Sequence, residues 1–231
     1  MNTKKILLIP MLFVFVQLSA HAQTGGNESC QITDTDLATA SNIVTNLHDT
    51  LIAIMKDAEN LGYQGRYTQV EPVIQKHYNT PLIARTVLGN RYWDTLIEAQ
   101  QNEFIRIFQQ LSIGTYADRF DGFNGEQFVE LQRTALPLRG QCPAAAGKEP
   151  PAKRILIKTE LHRIKDEPVS LEYLLQSIDG EWYIITVIAN GVNDLSLKRG
   201  EYSDVIKKKG FVGLIEDIKT KVSNLDKGST Q

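Results

Sequence analysis

Val44, Leu47, Leu51, Ile54, Ala58 and Leu61 follow one another in steps of three and four. That spacing places them on one stripe of a helix, which Gly62 ends. A second helix is expected where Thr80 caps and Pro81 occupies the first turn, stopping at Gly89. A third runs from about Thr95 to Phe120, with Ile97, Phe104, Phe108, Leu111 and Thr115 along one face and Ile107 beside it. Asp121-Gly122 closes it.

The period then changes. Ile155, Ile157, Thr159 and Leu161 alternate with Leu156, Lys158, Glu160 and His162, the pattern of a strand covered on one face. Lys165-Asp166-Glu167-Pro168 makes a turn, and Val169, Leu171, Tyr173 and Leu175 alternate in the next strand. Asp179-Gly180 launches a third, in which Trp182, Ile184, Thr186 and Ile188 face one way and Tyr183, Ile185 and Val187 the other. Being apolar on both faces, this strand is expected to be central in its sheet. The opposite parity, with Tyr183, Ile185 and Val187 inward, is equally consistent with the pattern. The segment from Gln127 to Leu136 reads as a further strand, although Phe128-Val129-Glu130-Leu131 also fits a helix. Arg139 to Pro151, rich in Gly, Ala and Pro, reads as a long loop, and two helical segments separated by Gly210 follow Asn190-Gly191. Helices followed by an antiparallel meander define an α+β domain, with helices laid over one face of a curved sheet.

At the N-terminus, Lys4 and Lys5 precede an apolar run from Ile6 to Val16, and Ala20-His21-Ala22 offers small residues to a signal peptidase. The run is shorter than the roughly 20 helical residues that span a bilayer. Residues 1–22 are therefore expected to be a signal peptide cleaved near Ala22, against a competing reading as an uncleaved anchor. Residues 23–39 then form an N-terminal arm, 40–225 one domain and 226–231 a tail. Cys30 and Cys142 are the two cysteines. In an oxidising compartment they suffice for one bridge, and two unpaired thiols are the equal alternative.

Hydrophobic residues make up 42% of the chain and charged residues 23%, with a net charge of -2. This is an ordinary globular composition with no bulk attraction to nucleic acid. Lys207-Lys208-Lys209 is the basic cluster, read as a solvated helix end where cations complement the carbonyl dipoles; a docking patch for an anionic surface is the alternative. An enzyme would have to draw on His162, Glu160 or Asp118. Outside the leader the histidines are His48, His77 and His162, scattered over separate elements and read as surface or capping residues. No Gly-x-Ser-x-Gly elbow, Walker loop, His-Glu-x-x-His helix or Rossmann glycine pattern occurs. Neither cysteine stands in a CxxC or CxxxH spacing, which disfavours redox catalysis and a zinc site.

Several motifs carry a resemblance. Asp179-Gly180-Glu181-Trp182 leads a strand that ends at Asn190-Gly191; Glu201-Tyr202, Lys208-Lys209-Gly210-Phe211 and Leu214-Ile215-Glu216-Asp217-Ile218 follow. Arg91-Tyr92-Trp93 lies just after Gly89, and Glu103-Phe104-Ile105-Arg106-Ile107-Phe108 precedes Tyr116. Over residues 40–225 this arrangement resembles the MlaC family, periplasmic lipid-binding proteins also called toluene-tolerance auxiliary proteins of ABC transporters. The family's usual Gly-Val-Ser-Leu is interrupted here: Asn193-Asp194-Leu195 separates Gly191-Val192 from Ser196-Leu197. Ser203 stands where Arg usually follows the Tyr. This form is closer to the branch associated with hopanoid genes.

The resemblance implies a nuclear-transport-factor-like curved sheet covered by N-terminal and C-terminal helices, with an apolar pocket between them. It also implies a non-enzymatic, cofactor-free periplasmic shuttle carrying phospholipid between inner and outer membranes. Its partners would be an inner-membrane ABC transporter complex with an MCE-type subunit, and an outer-membrane lipoprotein. The alternatives are a hopanoid or other polycyclic lipid carrier, a small-molecule isomerase or dehydratase on a cone-shaped fold, and a packed adaptor without ligand. Expected lipid-binding residues are Tyr92, Trp93, Phe104 and Phe108 from helices, Leu171, Tyr173 and Leu175 from one strand, and Trp182 and Ile184 from the next. Each of these fits a filled core as well, because alternation and helical stripes look the same against a cavity and against packed side chains.

Overall fold

The structure, a computed structural model, describes residues 31–138 and 152–228. The expected leader, Cys30, Cys142 with their proposed bridge, and the loop from Arg139 to Pro151 lie outside the described residues.

Helix α1 (Asp34–Lys56) begins in a capping box: Thr33 Oγ1 accepts from the Asp36 amide at 3.1 Å, and the Thr33 amide donates to Asp36 Oδ2 at 2.8 Å. These two bonds satisfy amides that the helix itself leaves without partners. The stripe Val44, Leu47, Leu51, Ile54 is buried as its spacing requires. Helix α1 ends at Lys56, earlier than expected, with Asp57 as its C-cap. Gly62 is a helix break as its sequence position implies: its backbone is non-helical (φ 55°, ψ -174°), and it divides α2 (Ala58–His77) into a short first part and a second helix that the periodicity does not reveal. The buried face of its second part is Tyr63, Arg66, Val70, Ile74 and His77, so helical spacing is present but two of its positions are polar. Arg66 is satisfied there by the carbonyls of Ala117 (2.8 Å) and Ala58 (3.2 Å), which ties α2 to the helix carrying Ala117.

Helix α3 (Thr80–Leu88) is capped by Asn79, whose Oδ1 accepts from the Leu82 amide at 2.9 Å; Thr80 is the first helical residue and not the cap. A single turn, α4 (Asn90–Trp93), leads to α5 (Glu98–Arg119). Ile97, expected on the buried face of α5, instead precedes its first turn and is 67% exposed.

The sheet is an antiparallel meander of β1 (Gln127–Ala135), β2 (Arg154–His162), β3 (Val169–Ile178), β4 (Glu181–Ala189) and the two-residue β5 (Val192–Asn193), in that spatial order. With its covering helices it forms the expected α+β architecture. The β3–β4 and β4–β5 turns need left-handed backbone, and Asp179-Gly180 (φ 52° and 86°) and Asn190-Gly191 (φ 48° and 77°) supply it at low steric cost. The outer face of the sheet is wetter; there Lys158 and Glu172, direct cross-strand partners, pair at 3.0 Å. Helix α6 (Asp194–Gly228) completes the chain and kinks at Gly210 (φ 69°).

Strand β4 is not central. Beyond it lies only β5, and its free edge is covered by the α2–α3 junction, where the Asn79 amide donates to the Ile184 carbonyl at 3.3 Å. Covering an edge in this way satisfies backbone groups that would otherwise template aggregation. The register also shifts on β4: Leu175 pairs with Ile184 and Leu174 with Thr186, leaving Ile185 as an extra residue. Trp182 and Ile184 therefore face the covered side before this bulge, and Val187 and Ala189 face it afterwards. Each of the two parities read from the sequence holds on one half of the strand.

Two apolar cores result. One joins α1 and α2 to the sheet through Leu47, Leu51, Val70, Ile155, Leu175 and Ile184; the other joins α3, α5 and α6 through Val87, Phe104, Phe108, Tyr202 and Leu214.

Candidate functional site

Where the two cores meet, side chains do not fill the space. A cavity of about 550 Å³ lies between the end of the sheet formed by Leu161, Leu171 and Val187 and the helices carrying Ile74, Ile83 and Phe108. This is within the ~300–1,000 Å³ typical of small-molecule sites. Tyr78 packs against both cores, standing at their seam.

Of the residues expected to contact a ligand, Phe108, Leu171 and Tyr173 form part of the cavity wall. Leu175, Trp182 and Ile184 are buried in the sheet core beneath α1 and α2. The Trp182 indole N–H donates to Asp36 Oδ1 at 3.0 Å, joining β4 to the start of α1. Burial raises the pKa of the Asp36 carboxyl, but hydrogen bonds from Thr33 and Trp182 outweigh it and leave the value lowered. Trp93 and Phe104 are buried in the helical core, with Tyr92 packed on its margin; Phe104 stacks on Phe108 and meets Tyr202 edge-on.

The alternative parity of β4 contributes Ile185 and Val187 to the cavity. Tyr116, part of the motif that carries the family resemblance, and Tyr78 and Ala189, which the sequence did not single out, also line it, the two tyrosine hydroxyls 2.6 Å apart. Burial raises the pKa of both phenols, so they stay protonated at neutral pH. Tyr173, whose phenol is likewise raised by burial, shares a 2.9 Å hydrogen bond with His48 Nε2. His48 lies flat on Phe128, with ring centroids 3.9 Å apart. It is therefore not a surface residue: burial lowers its pKa to about 4 and keeps the ring neutral. His77 is also buried, 3.1 Å from Asn46 Oδ1. His162 pairs with Glu160 at 3.0 Å, and neither of them nor Asp118 lines the cavity.

The mouth lies at one end of the sheet, ringed by the α5–β1 loop, the β2–β3 turn and the start of α6. Charged side chains line this part of the cavity: Arg119, Arg163 and Lys198 together with Asp121, Asp166 and Asp194, and the buried Glu126 in its wall. Lys198 is held by Asp194 at 2.9 Å and Arg163 by Asp166 at 3.8 Å. Asn193 Oδ1 accepts from the Leu195 and Ser196 amides and starts α6. The Asn193-Asp194-Leu195 insertion thus contributes Asp194 and Leu195 to the cavity lining. The basic run is largely neutralised locally, with Lys207 paired to Asp204 and Lys209 to Asp217.

An apolar cavity with a charged mouth, set between a curved sheet and a helical layer, is the architecture of a binding protein for an amphiphile. The MlaC protein profile matches residues 45–220, and the chain belongs to the MlaC family. Among solved structures, it is similar in fold to the phospholipid-binding protein from Ralstonia solanacearum in complex with a phospholipid. The TM-score is 0.60 at 20% identity, over 80% of this chain and 98% of that one. No curated protein matches the chain.

Proposed function

We propose that this protein is an exported phospholipid carrier and not an enzyme, taking lipid tails into the cavity and leaving the headgroup at the mouth. The observation that carries this reading is the unfilled 550 Å³ space with Leu161, Leu171, Val187, Ile83 and Phe108 on its walls and exposed charged side chains such as Arg119 and Asp194 along its lining. A two-chain lipid carries on the order of 30 methylenes, each worth roughly 0.8 kcal/mol in water avoidance. Unassisted passage through water therefore faces a barrier above roughly 20 kcal/mol. Protein apolar surface in place of membrane removes most of it. Membership of the MlaC family and the phospholipid held by the Ralstonia solanacearum protein support the same reading.

In this account the protein works in the periplasm, between an inner-membrane ABC transporter complex with an MCE-type subunit and the outer membrane, where a lipoprotein completes the relay. A hopanoid is the second reading, favoured by the Asp194 and Leu195 insertion at the mouth. The test is mass spectrometry of organic extracts from protein purified without detergent, with native mass spectrometry of the intact complex. Stoichiometric phospholipid is the expected result. A co-purifying hopanoid selects the second reading, and a folded, monodisperse protein without lipid overturns both.

A further inference from the structure

The cavity wall contains a hydroxyl pair with a hydrogen bond to spare. Tyr78 and Tyr116 bring two O–H groups to within 2.6 Å of each other. Whichever phenol donates, that contact uses one proton and leaves the other. Neither hydroxyl bonds to any further protein group among the described residues, and both side chains line the cavity. Both side chains are half-buried, so the spare O–H faces the cavity; once a ligand expels water from it, a donor left without an acceptor costs an amount comparable to the hydrogen bond it fails to make. A ligand that brings an acceptor oxygen to this place recovers that loss, whereas a pure hydrocarbon does not.

The position of the pair along the cavity indicates which oxygen. Tyr116 is on the last turns of α5, and Arg119 follows three residues later at the mouth. Arg119 is exposed and makes no ion pair among the described residues, unlike the neighbouring rim cations Arg163 and Lys198. Residues three apart on a helix are neighbours, with Cβ atoms about 5–6 Å apart. In a phospholipid, the ester carbonyls of the glycerol are likewise a few bonds inward from the phosphate. Resting on the phospholipid reading above, we propose that the Tyr78–Tyr116 pair donates a hydrogen bond to an acyl-ester carbonyl of the bound lipid while Arg119 meets its phosphate. The pair thereby fixes how deep the lipid sits and discriminates ester-linked from ether-linked chains.

The experiment uses the delipidated full chain and two phosphatidylglycerols of equal chain length, one diester and one diether. Each competes against the same fluorescent phospholipid. An ether oxygen is a far weaker acceptor, so the native protein should prefer the diester by roughly fivefold to tenfold, the worth of one hydrogen bond. The double variant Tyr78→Phe/Tyr116→Phe keeps both rings and should bind the two lipids equally; measurable diether binding in this variant shows that the cavity is intact. Arg119→Gln should weaken both lipids by a similar factor, roughly tenfold, and leave the ester preference in place. Equal affinities in the native protein, or an ester preference that survives in the double variant, overturn the tyrosine anchor. Unchanged affinity in Arg119→Gln overturns the phosphate contact. Failure of the native protein to bind either lipid overturns the carrier reading itself, a different result from lipid bound without ester preference.

Discussion

The two ends of the covered sheet face carry the same kinds of residue and do different things. At one end Leu175, Ile184 and Ile155 have no exposed surface and share a core with Leu47 and Leu51 of α1 and Val70 of α2. At the other end Leu171 of β3 and Val187 and Ala189 of β4 wall a cavity of about 550 Å³. The difference lies in what covers the strands. Helices α1 and α2, with Ile113 of α5, pack directly on the first end, whereas an unfilled space remains between the second end and the core built by α3, α5 and α6. A binding cavity of this kind is a seam between two cores, and the residues on either side of the seam need not look different.

Truncation should separate the two ends most strongly. Leu175→Ala removes a fully buried side chain from a filled core and is expected to destabilise by roughly 2–5 kcal/mol. Leu171→Ala, beside space that is already empty, should cost about 1 kcal/mol or less. Urea unfolding midpoints compare the two, and equal losses would mean that the cavity end is packed as tightly as the other.

Acid should act on the side chains that join the sheet to α1 and β1 near its middle. The folded state holds His48 neutral down to about pH 4, beneath its ordinary value of 6.5. The unfolded chain therefore binds the extra proton first as pH falls, and this contribution to stability is complete above about 6.5 and lost progressively towards 4. The linked loss is on the order of 3 kcal/mol. Unfolding measured between pH 7 and 4 should show it, with a flatter profile for His48→Gln. An unchanged slope in that variant would assign the acid sensitivity to other groups.

A smaller effect is expected where the filled end is fastened to α1. Trp182→Phe keeps most of the ring but deletes the N–H donated to Asp36, at a cost of about 1 kcal/mol by thermal unfolding. Lipid binding should not change, because Trp182 does not line the cavity. A loss of binding without loss of stability would place this residue in the site after all.

Legibility in the sequence follows from the same contrast. Strands β2 and β3 were readable because one face is covered and the other solvated, so alternation survives, and the two left-handed turns announce themselves through Asp-Gly and Asn-Gly. The second part of α2 was not readable, because Arg66 and His77 take buried positions through hydrogen bonds that form only in the folded molecule. The bulge at Ile185 defeats any single parity for β4. Leu171 and Leu175 obey one alternation, and nothing local says which of them meets a helix and which meets a cavity. The Tyr78–Tyr116 pair, 38 residues apart, exists only once α5 packs beside the α2–α3 junction.

The central claim is that the open end of the sheet holds an acyl chain, and photocrosslinking tests it most directly. The full chain, loaded with a phospholipid bearing a diazirine near an acyl terminus, would be irradiated and its adducts located by residue-level tandem mass spectrometry. Adducts on Phe108, Leu161, Leu171 or Val187 are predicted. Adducts on Leu175, Trp182 or Ile184, or spread over the outer surface, would contradict it.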